Sequence, residues 1–227
     1  MSLLVSVSKV VKSYNENEVL NGVDLKIYSG ERIALLGSNG SGKSTFIKTL
    51  LGFEKPDSGE VKFEINPKKD LGYMPQKDVL IEDIKVFEIL NLVGAMYNQY
   101  RSELDKNIEF LSLSNKKKHY ISDLSGGERR KLSFLISIIN TPNLLILDEP
   151  TTGLDLESID EFWNILSREK GSTLVVTHDF NQIDRYFNRV LYLDKGIITA
   201  DKKIDELRKN NISIEKWYRT QKGAMTK

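Results

Sequence analysis

The chain has 227 residues, 40% of them hydrophobic, and its 33 basic and 32 acidic side chains leave a formal net charge of +1. That length and apolar content exclude a disordered chain and suit one large domain or two small ones. The charge balance excludes a global field that would recruit nucleic acid or an anionic membrane, and the absence of cysteine excludes disulfides and zinc–thiolate sites.

At the N-terminus, Ser2 to Val10 reads as a strand and not as a signal peptide, because it lacks a basic start and a small-residue cleavage pattern. Cytoplasmic residence is the expectation. Residues 3 to 27 alternate apolar and polar positions around a Tyr14–Glu18 turn, which predicts antiparallel strands. The apolar run Ile33–Leu36 predicts a buried strand. It is followed by Gly37-Ser38-Asn39-Gly40-Ser41-Gly42-Lys43-Ser44 and then by Thr45–Leu51, which has helical character. A glycine-rich loop between strand and helix wraps backbone N–H groups around phosphate and adds the positive end of a helix dipole. Lys43 reaches the outer phosphates and Ser44 is a Mg²⁺ ligand, so this segment binds a nucleoside triphosphate.

Pro56–Gly59 is a turn signal, Glu60 to Ile65 a short strand, and Leu71–Met74 a buried one. From Val86 to Leu113 the spacing turns helical, with Val86, Ile89, Leu90, Val93 and Tyr97 on one face and Leu104, Ile108 and Leu111 on a second helix. Lys116–His119 reads as a solvated connection with no assigned role. Leu124-Ser125-Gly126-Gly127-Glu128 then opens a helix bearing Leu132, Leu135, Ile136 and Ile139. Taken alone, Ser125 is a helix cap beside a glycine turn. Beside the first loop it is a second phosphate-grasping segment, and a dimer accounts for two such segments around one γ-phosphate. Leu144–Leu147 is an apolar strand ending in Asp148 and Glu149, carboxylates suited to holding a metal and activating water. A helix with Ile159, Phe162, Ile165 and Leu166 follows, then strands at Thr173–Val176 and Val190–Leu193. This alternation predicts an α/β fold with a mainly parallel sheet flanked by helices, its ligand at the carboxyl ends of the strands. Ile204, Leu207, Ile212, Ile214 and Trp217 are expected to pack a final helix, in a C-terminal stretch too short for an added regulatory domain. The longest apolar runs fall far short of the roughly twenty residues that a membrane helix needs.

The order of these motifs resembles the nucleotide-binding subunit of ATP-binding cassette (ABC) transporters over nearly the whole chain. Gly37 to Thr45 is similar to the Walker A loop, Leu124 to Glu128 to the signature segment, and Leu144 to Asp148 with Glu149 to Walker B and its catalytic glutamate. Gln76 matches the Q-loop glutamine, Leu154-Asp155 the D-loop, His178 the switch histidine and Tyr14 the aromatic that stacks on adenine. Leu156 replaces a frequent proline after the D-loop, and the Gly59 to Gln76 segment is shorter than in many members.

The resemblance implies a P-loop NTPase core with an N-terminal antiparallel β layer and an inserted helical subdomain at about 78–135, in a single nucleotide-binding domain spanning 1–227. ATP and Mg²⁺ are the implied cofactors. Nucleotide is implied to contact Tyr14, Gly37, Ser38, Asn39, Gly40, Ser41, Gly42, Lys43, Ser44 and Thr45, with Ser125 and Gly127 supplied by a second copy or close paralogue. Ser44, Gln76 and Asp148 are the implied metal residues, and Glu149, His178, Gln76 and Lys43 the catalytic ones. The other implied partner is a transmembrane permease, docked near Val79, Leu80 and Ile81, which would place the chain on the inner face of the cell membrane. No nucleic acid is implied. The helical segment and the Gly126–Leu132 run look most like drug, antibiotic or peptide exporters. The alternatives are a metal or ion importer ATPase, a soluble non-transport ABC ATPase, and a phosphate-loop nucleotide kinase, which leaves Ser125–Gly127 without a purpose.

Overall fold

The computed structural model describes residues 1–97, 108–109 and 111–224. They fall into two compact units, Met1–Ile65 with Ser172–Lys227, and Asn66–Gly171.

The first unit opens with strands β1 (Leu3–Tyr14) and β2 (Asn17–Tyr28), an antiparallel hairpin, and β4 (Ser58–Phe63) pairs antiparallel with the other edge of β1. Val5, Val7 and Val10 are all buried although 7 and 10 differ in parity. A bulge reconciles them: Lys9 has φ of 49°, the register shifts between Val7 and Val10, and Asp24 Oδ1 accepts from the Lys9 amide at 3.0 Å. A second sheet holds β3 (Arg32–Leu36), β7 (Ser172–Val176), β8 (Arg189–Asp194) and β9 (Ile197–Lys203). Here β3 lies parallel to both β7 and β8, and β9 closes the edge antiparallel to β8. Ile33–Leu36 and Leu174–Val176 have no exposed surface, as continuous apolar strands covered on both faces require. Helix α1 (Lys43–Leu50) buries Phe46, Ile47 and Leu50, and α6 (Phe180–Tyr186) follows β7.

Two departures from the sequence reading fall here. The edge strand β9 was not anticipated, because its residues are mostly exposed and polar. The expected final helix is two, α7 (Ile204–Lys209) and α8 (Ile214–Ala224). Ile204, Leu207, Ile214 and Trp217 are buried as expected, and Trp217 and Tyr218 meet the Tyr192 ring edge-on at 6.4 and 5.6 Å.

The second unit contains α2 (Pro67–Asp70), β5 (Leu71–Met74), α3 (Val86–Met96), α4 (Gly126–Ile138), β6 (Leu144–Asp148) and α5 (Leu156–Arg168), with β5 parallel to β6. Val86, Ile89 and Leu90 are buried, while Tyr97 is the cap beyond α3 and not part of its face. Of the second predicted helix, Ile108 and Leu111 are buried and Leu104 lies outside the described residues. Phe134, Phe162 and Trp163 form an aromatic cluster, with Phe134 tilted against Phe162 at 4.3 Å and Trp163 edge-on to Phe162 at 5.2 Å between centroids. Among the described residues no helix is long and apolar enough to cross a membrane.

Candidate functional site

The loop from Gly37 to Ser44 leaves the carboxyl end of β3 and runs into α1. Its shape is imposed from behind by the β8–β9 hairpin: a Cβ on Gly37 would lie 2.3 Å from the Leu193 carbonyl oxygen, and the Gly196 amide donates to the Ser41 carbonyl at 3.0 Å. Gly42 caps α1 with φ of 103°, where a side chain would also meet the Val19 carbonyl at 2.8 Å. Lys43 is folded back over the loop, its Nζ donating to the carbonyls of Gly37 at 2.7 Å and Ser38 at 3.0 Å. Ser41 Oγ is buried without a hydrogen-bond partner among the described residues, an arrangement that costs roughly 1–3 kcal/mol unless a ligand supplies the bond. Ser38, Asn39, Gly40, Ser44 and Thr45 all retain exposed surface. A cradle that excludes side chains, an arched ammonium and an orphaned hydroxyl together fit a polyphosphate.

The same unit holds two other predicted residues. Tyr14 ends β1, 39% exposed, with Lys12 Nζ 5.6 Å from its ring centroid. Lys12 is held in turn by Asp57, whose carboxyl lies below the usual range because the Ser13 amide and Lys12 donate to it. His178 follows β7 on an exposed turn, between buried Thr177 and Asp179, whose carboxylate caps α6 by accepting from the Gln182 amide.

In the second unit Asp148 closes β6 with 6% exposure. Glu149 takes φ of 47°, a left-handed conformation costing about 1–2 kcal/mol for a residue with a side chain. Its Oε2 accepts from Gln76 Nε2 at 3.0 Å, so these two predicted residues meet directly. The described residues contain no group of three or more acidic, histidine or cysteine side chains able to hold a metal. Asp148 and Ser44 are oxygen donors, the ligand type that Mg²⁺ takes together with waters and substrate phosphates.

Ser125 is the cap of α4 in a reciprocal pair: its Oγ accepts from the Glu128 amide at 3.2 Å, and its own amide donates to Glu128 Oε2 at 2.9 Å. Burial opposes ionisation of Glu128, but the Ser125 bonds and the Lys116 ammonium at 3.1 Å outweigh it and hold the carboxyl below its ordinary value. Lys116, read from sequence as merely solvated, therefore supports this turn. Among the described residues, a Cβ on Gly126 would meet nothing within 4 Å, and one on Gly127 only Leu154 Cδ2 at 3.8 Å.

Sequence reasoning missed Arg130. Its side chain is 5% exposed and its guanidinium contacts five acceptors. Nε donates to the Pro150 carbonyl at 3.0 Å, Nη1 to the Pro75 carbonyl at 2.6 Å and Asp78 Oδ1 at 3.0 Å, and Nη2 to the carbonyls of Asp148 at 3.1 Å and Glu149 at 2.8 Å. The available signal was an arginine in helical register with Phe134 and Ser137, on the buried face of α4.

The chain belongs to the ABC transporter family, whose model matches residues 20–152, more than half of its length. It is 34% identical over 218 residues to an uncharacterized ABC transporter ATP-binding protein of Methanocaldococcus jannaschii, covering 93% of this chain and 82% of that one. It is 36% identical over 211 residues to the Nod factor export ATP-binding protein I of Rhizobium meliloti, covering 86% of this chain and 63% of the relative's length. Its fold matches an ATP-binding cassette described as a dimer in a post-hydrolysis state bound to ADP and Pi, with a TM-score of 0.78 and 25% identity, covering 88% of this chain and 99% of that one. The protein is thus an ATP-binding subunit of an ABC transporter, and its reaction is hydrolysis of ATP.

Proposed function

We propose that this chain, as one cassette spanning 1–227 with a helical subdomain at about 78–135, powers export through a separate transmembrane permease by closing on ATP as a dimer and opening after hydrolysis. The observation that carries the dimer is the pair Gly126 and Gly127. Glycine inside a helix costs about 0.5–1 kcal/mol relative to alanine, yet no described residue comes within 4 Å of a Cβ placed at Gly126. The room serves a ligand presented from outside, the triphosphate held by a second copy. The cassette described as a dimer with ADP and Pi supports the same arrangement.

Within each site, Tyr14 stacks on adenine, and the amides of Gly37 to Thr45 with Lys43 and Ser41 neutralise charge developing on the phosphates in transfer to water. Ser44, Asp148 and Gln76 are the residues that would hold Mg²⁺, and the ion would supply positive charge to offset that of the phosphates. Glu149 accepts the proton of the attacking water, Gln76 Nε2 orients that carboxylate from 3.0 Å, and His178 bonds the γ-phosphate. Ser125 and Gly127 of the second copy complete the enclosure. Loss of the shared anion lets the copies separate, a ligand-driven population shift.

The permease docks on Val79, Leu80 and Ile81, since Val79 is 84% and Ile81 57% exposed in one consecutive apolar run beside Gln76, and contiguous exposed apolar surface marks interaction sites. That docking holds the chain at the inner face of the membrane. The similarity to a Nod factor export protein favours export over import. Glu149→Gln tests the core of this reading: turnover is expected to fall below detection with ATP affinity retained and a nucleotide-locked dimer on size exclusion. Wild-type phosphate release from that variant would contradict the role of Glu149. Charge substitutions at Val79 and Ile81 are expected to abolish co-purification with a multispanning membrane protein, and unaltered co-purification removes the docking site.

A further inference from the structure

We propose that Arg130 is a positioning residue for hydrolysis: from α4, it fixes the backbone that aims Glu149 and Gln76 and so ties the base to the helix that carries Ser125. This inference rests on the reading of Glu149 as the base.

Glu149 is held in a left-handed conformation, which an L residue leaves unless its surroundings hold it there. Arg130 supplies side-chain bonds that do so, beside the Thr152 amide, which donates to the Glu149 carbonyl at 3.3 Å. Nη2 grips the carbonyls on both sides of the Glu149 Cα, those of Asp148 and Glu149, and Nε grips the carbonyl of Pro150. The opposite edge of the same planar group takes the Pro75 carbonyl, adjacent to Gln76, and the Asp78 carboxylate two residues beyond it. One rigid fork therefore sets the spacing between the two chain segments whose side chains meet at the Gln76–Glu149 hydrogen bond. The fork is carried by the second turn of α4, whose first turn is the Ser125–Glu128 capping pair. Displacement of that helix by a phosphate at Ser125 is transmitted through guanidinium bonds to the backbone of Glu149, a physical link by which a signature segment engaged at one ATP site reports to the base of the other. Lysine retains the charge but, as a point donor on a flexible stem, cannot span acceptors on both sides.

Arg130→Lys in the full chain is the test, read as ATP turnover at saturating nucleotide, KM, binding of a fluorescent ATP analogue and melting temperature. The expected result is turnover lowered about tenfold or more, with analogue affinity within a factor of about two and a folded, cooperative melt. Turnover within twofold of wild type in the folded variant overturns the proposal, as does a turnover loss matched by an equal loss of nucleotide affinity. If Arg130→Lys does not fold, Asp78→Asn carries the test, because it weakens one anchor of the fork without removing it. A turnover loss of about threefold at constant affinity is expected there, and unchanged turnover overturns the proposal. Glu149→Gln run in parallel separates the two ideas: an inactive Glu149→Gln beside a wild-type-like Arg130→Lys sinks only the positioning role, whereas an active Glu149→Gln removes the base and this proposal together.

Discussion

The two glycine-bearing segments, Gly37–Ser44 and Ser125–Gly127, are alike in sequence and opposite in what constrains them. At Gly37 the chain itself forbids a side chain, with the Leu193 carbonyl oxygen 2.3 Å from where a Cβ would sit. At Gly126 no described residue comes within 4 Å of that position, and at Gly127 it meets Leu154 at ordinary contact distance. The first loop is a cradle braced from behind, with a buried Ser41 hydroxyl that has no hydrogen-bond partner among the described residues. Under the proposed function the second is half a site, its glycines facing a surface that a second copy would bring. A glycine that costs helix stability and relieves no internal clash is therefore informative about partners.

Substitutions sharpen this contrast. Ser125→Arg is expected to reduce turnover by about 10²-fold or more, the scale of losing preorganised donors to the transferred phosphate, while the lone chain still binds ATP. A variant that hydrolyses normally would show that the second segment is a cap and nothing else. Gly37→Ala is expected to cost about 1–3 kcal/mol through overpacking, lowering the melting temperature on the order of 5 °C, and to abolish nucleotide binding. Thermal melts and ATP titration check it together. Gly127→Ala should separate fold from function: stability unchanged or raised by up to about 1 kcal/mol from helix propensity, ATP affinity of the monomer unchanged, and nucleotide-dependent dimerisation weakened. Parallel destabilisation of both glycine variants would erase the distinction.

The smallest effect concerns the capping pair. The Glu128 carboxyl is held below its ordinary value of 4.5. A depressed folded-state pKa contributes stability that is fully present above the unfolded value and is lost as pH falls through the folded one. Glu128→Gln is accordingly expected to melt slightly below wild type at neutral pH, with the difference closing as the pH is taken below 4.5. A gap that persists unchanged in acid would assign the effect to packing and not to charge.

What could be read from sequence follows a consistent line. Ile33–Leu36, Leu144–Leu147 and Thr173–Val176 are apolar runs bounded by turns, and each is a buried strand because burial on both faces needs only local composition. The phosphate loop was legible for a related reason: its residues are consecutive, so spacing alone carries the chemistry. Trp163 and the edge strand β9 were not legible. An indole beside Phe162 on a helix has no sequence mark of full burial, and an exposed polar strand has no apolar pattern at all.

By itself the sequence determined the nucleotide loop, the strand-bound carboxylates Asp148 and Glu149, and the membership that their order implies, since these depend on neighbours along the chain. Only the tertiary structure decided that Glu149 turns left-handed, that Gln76 Nε2 meets its carboxylate at 3.0 Å, and that Arg130 holds the carbonyls between them. The Arg130 contacts join residues far apart in sequence through backbone oxygens, which every residue carries, so no side-chain pattern announces them.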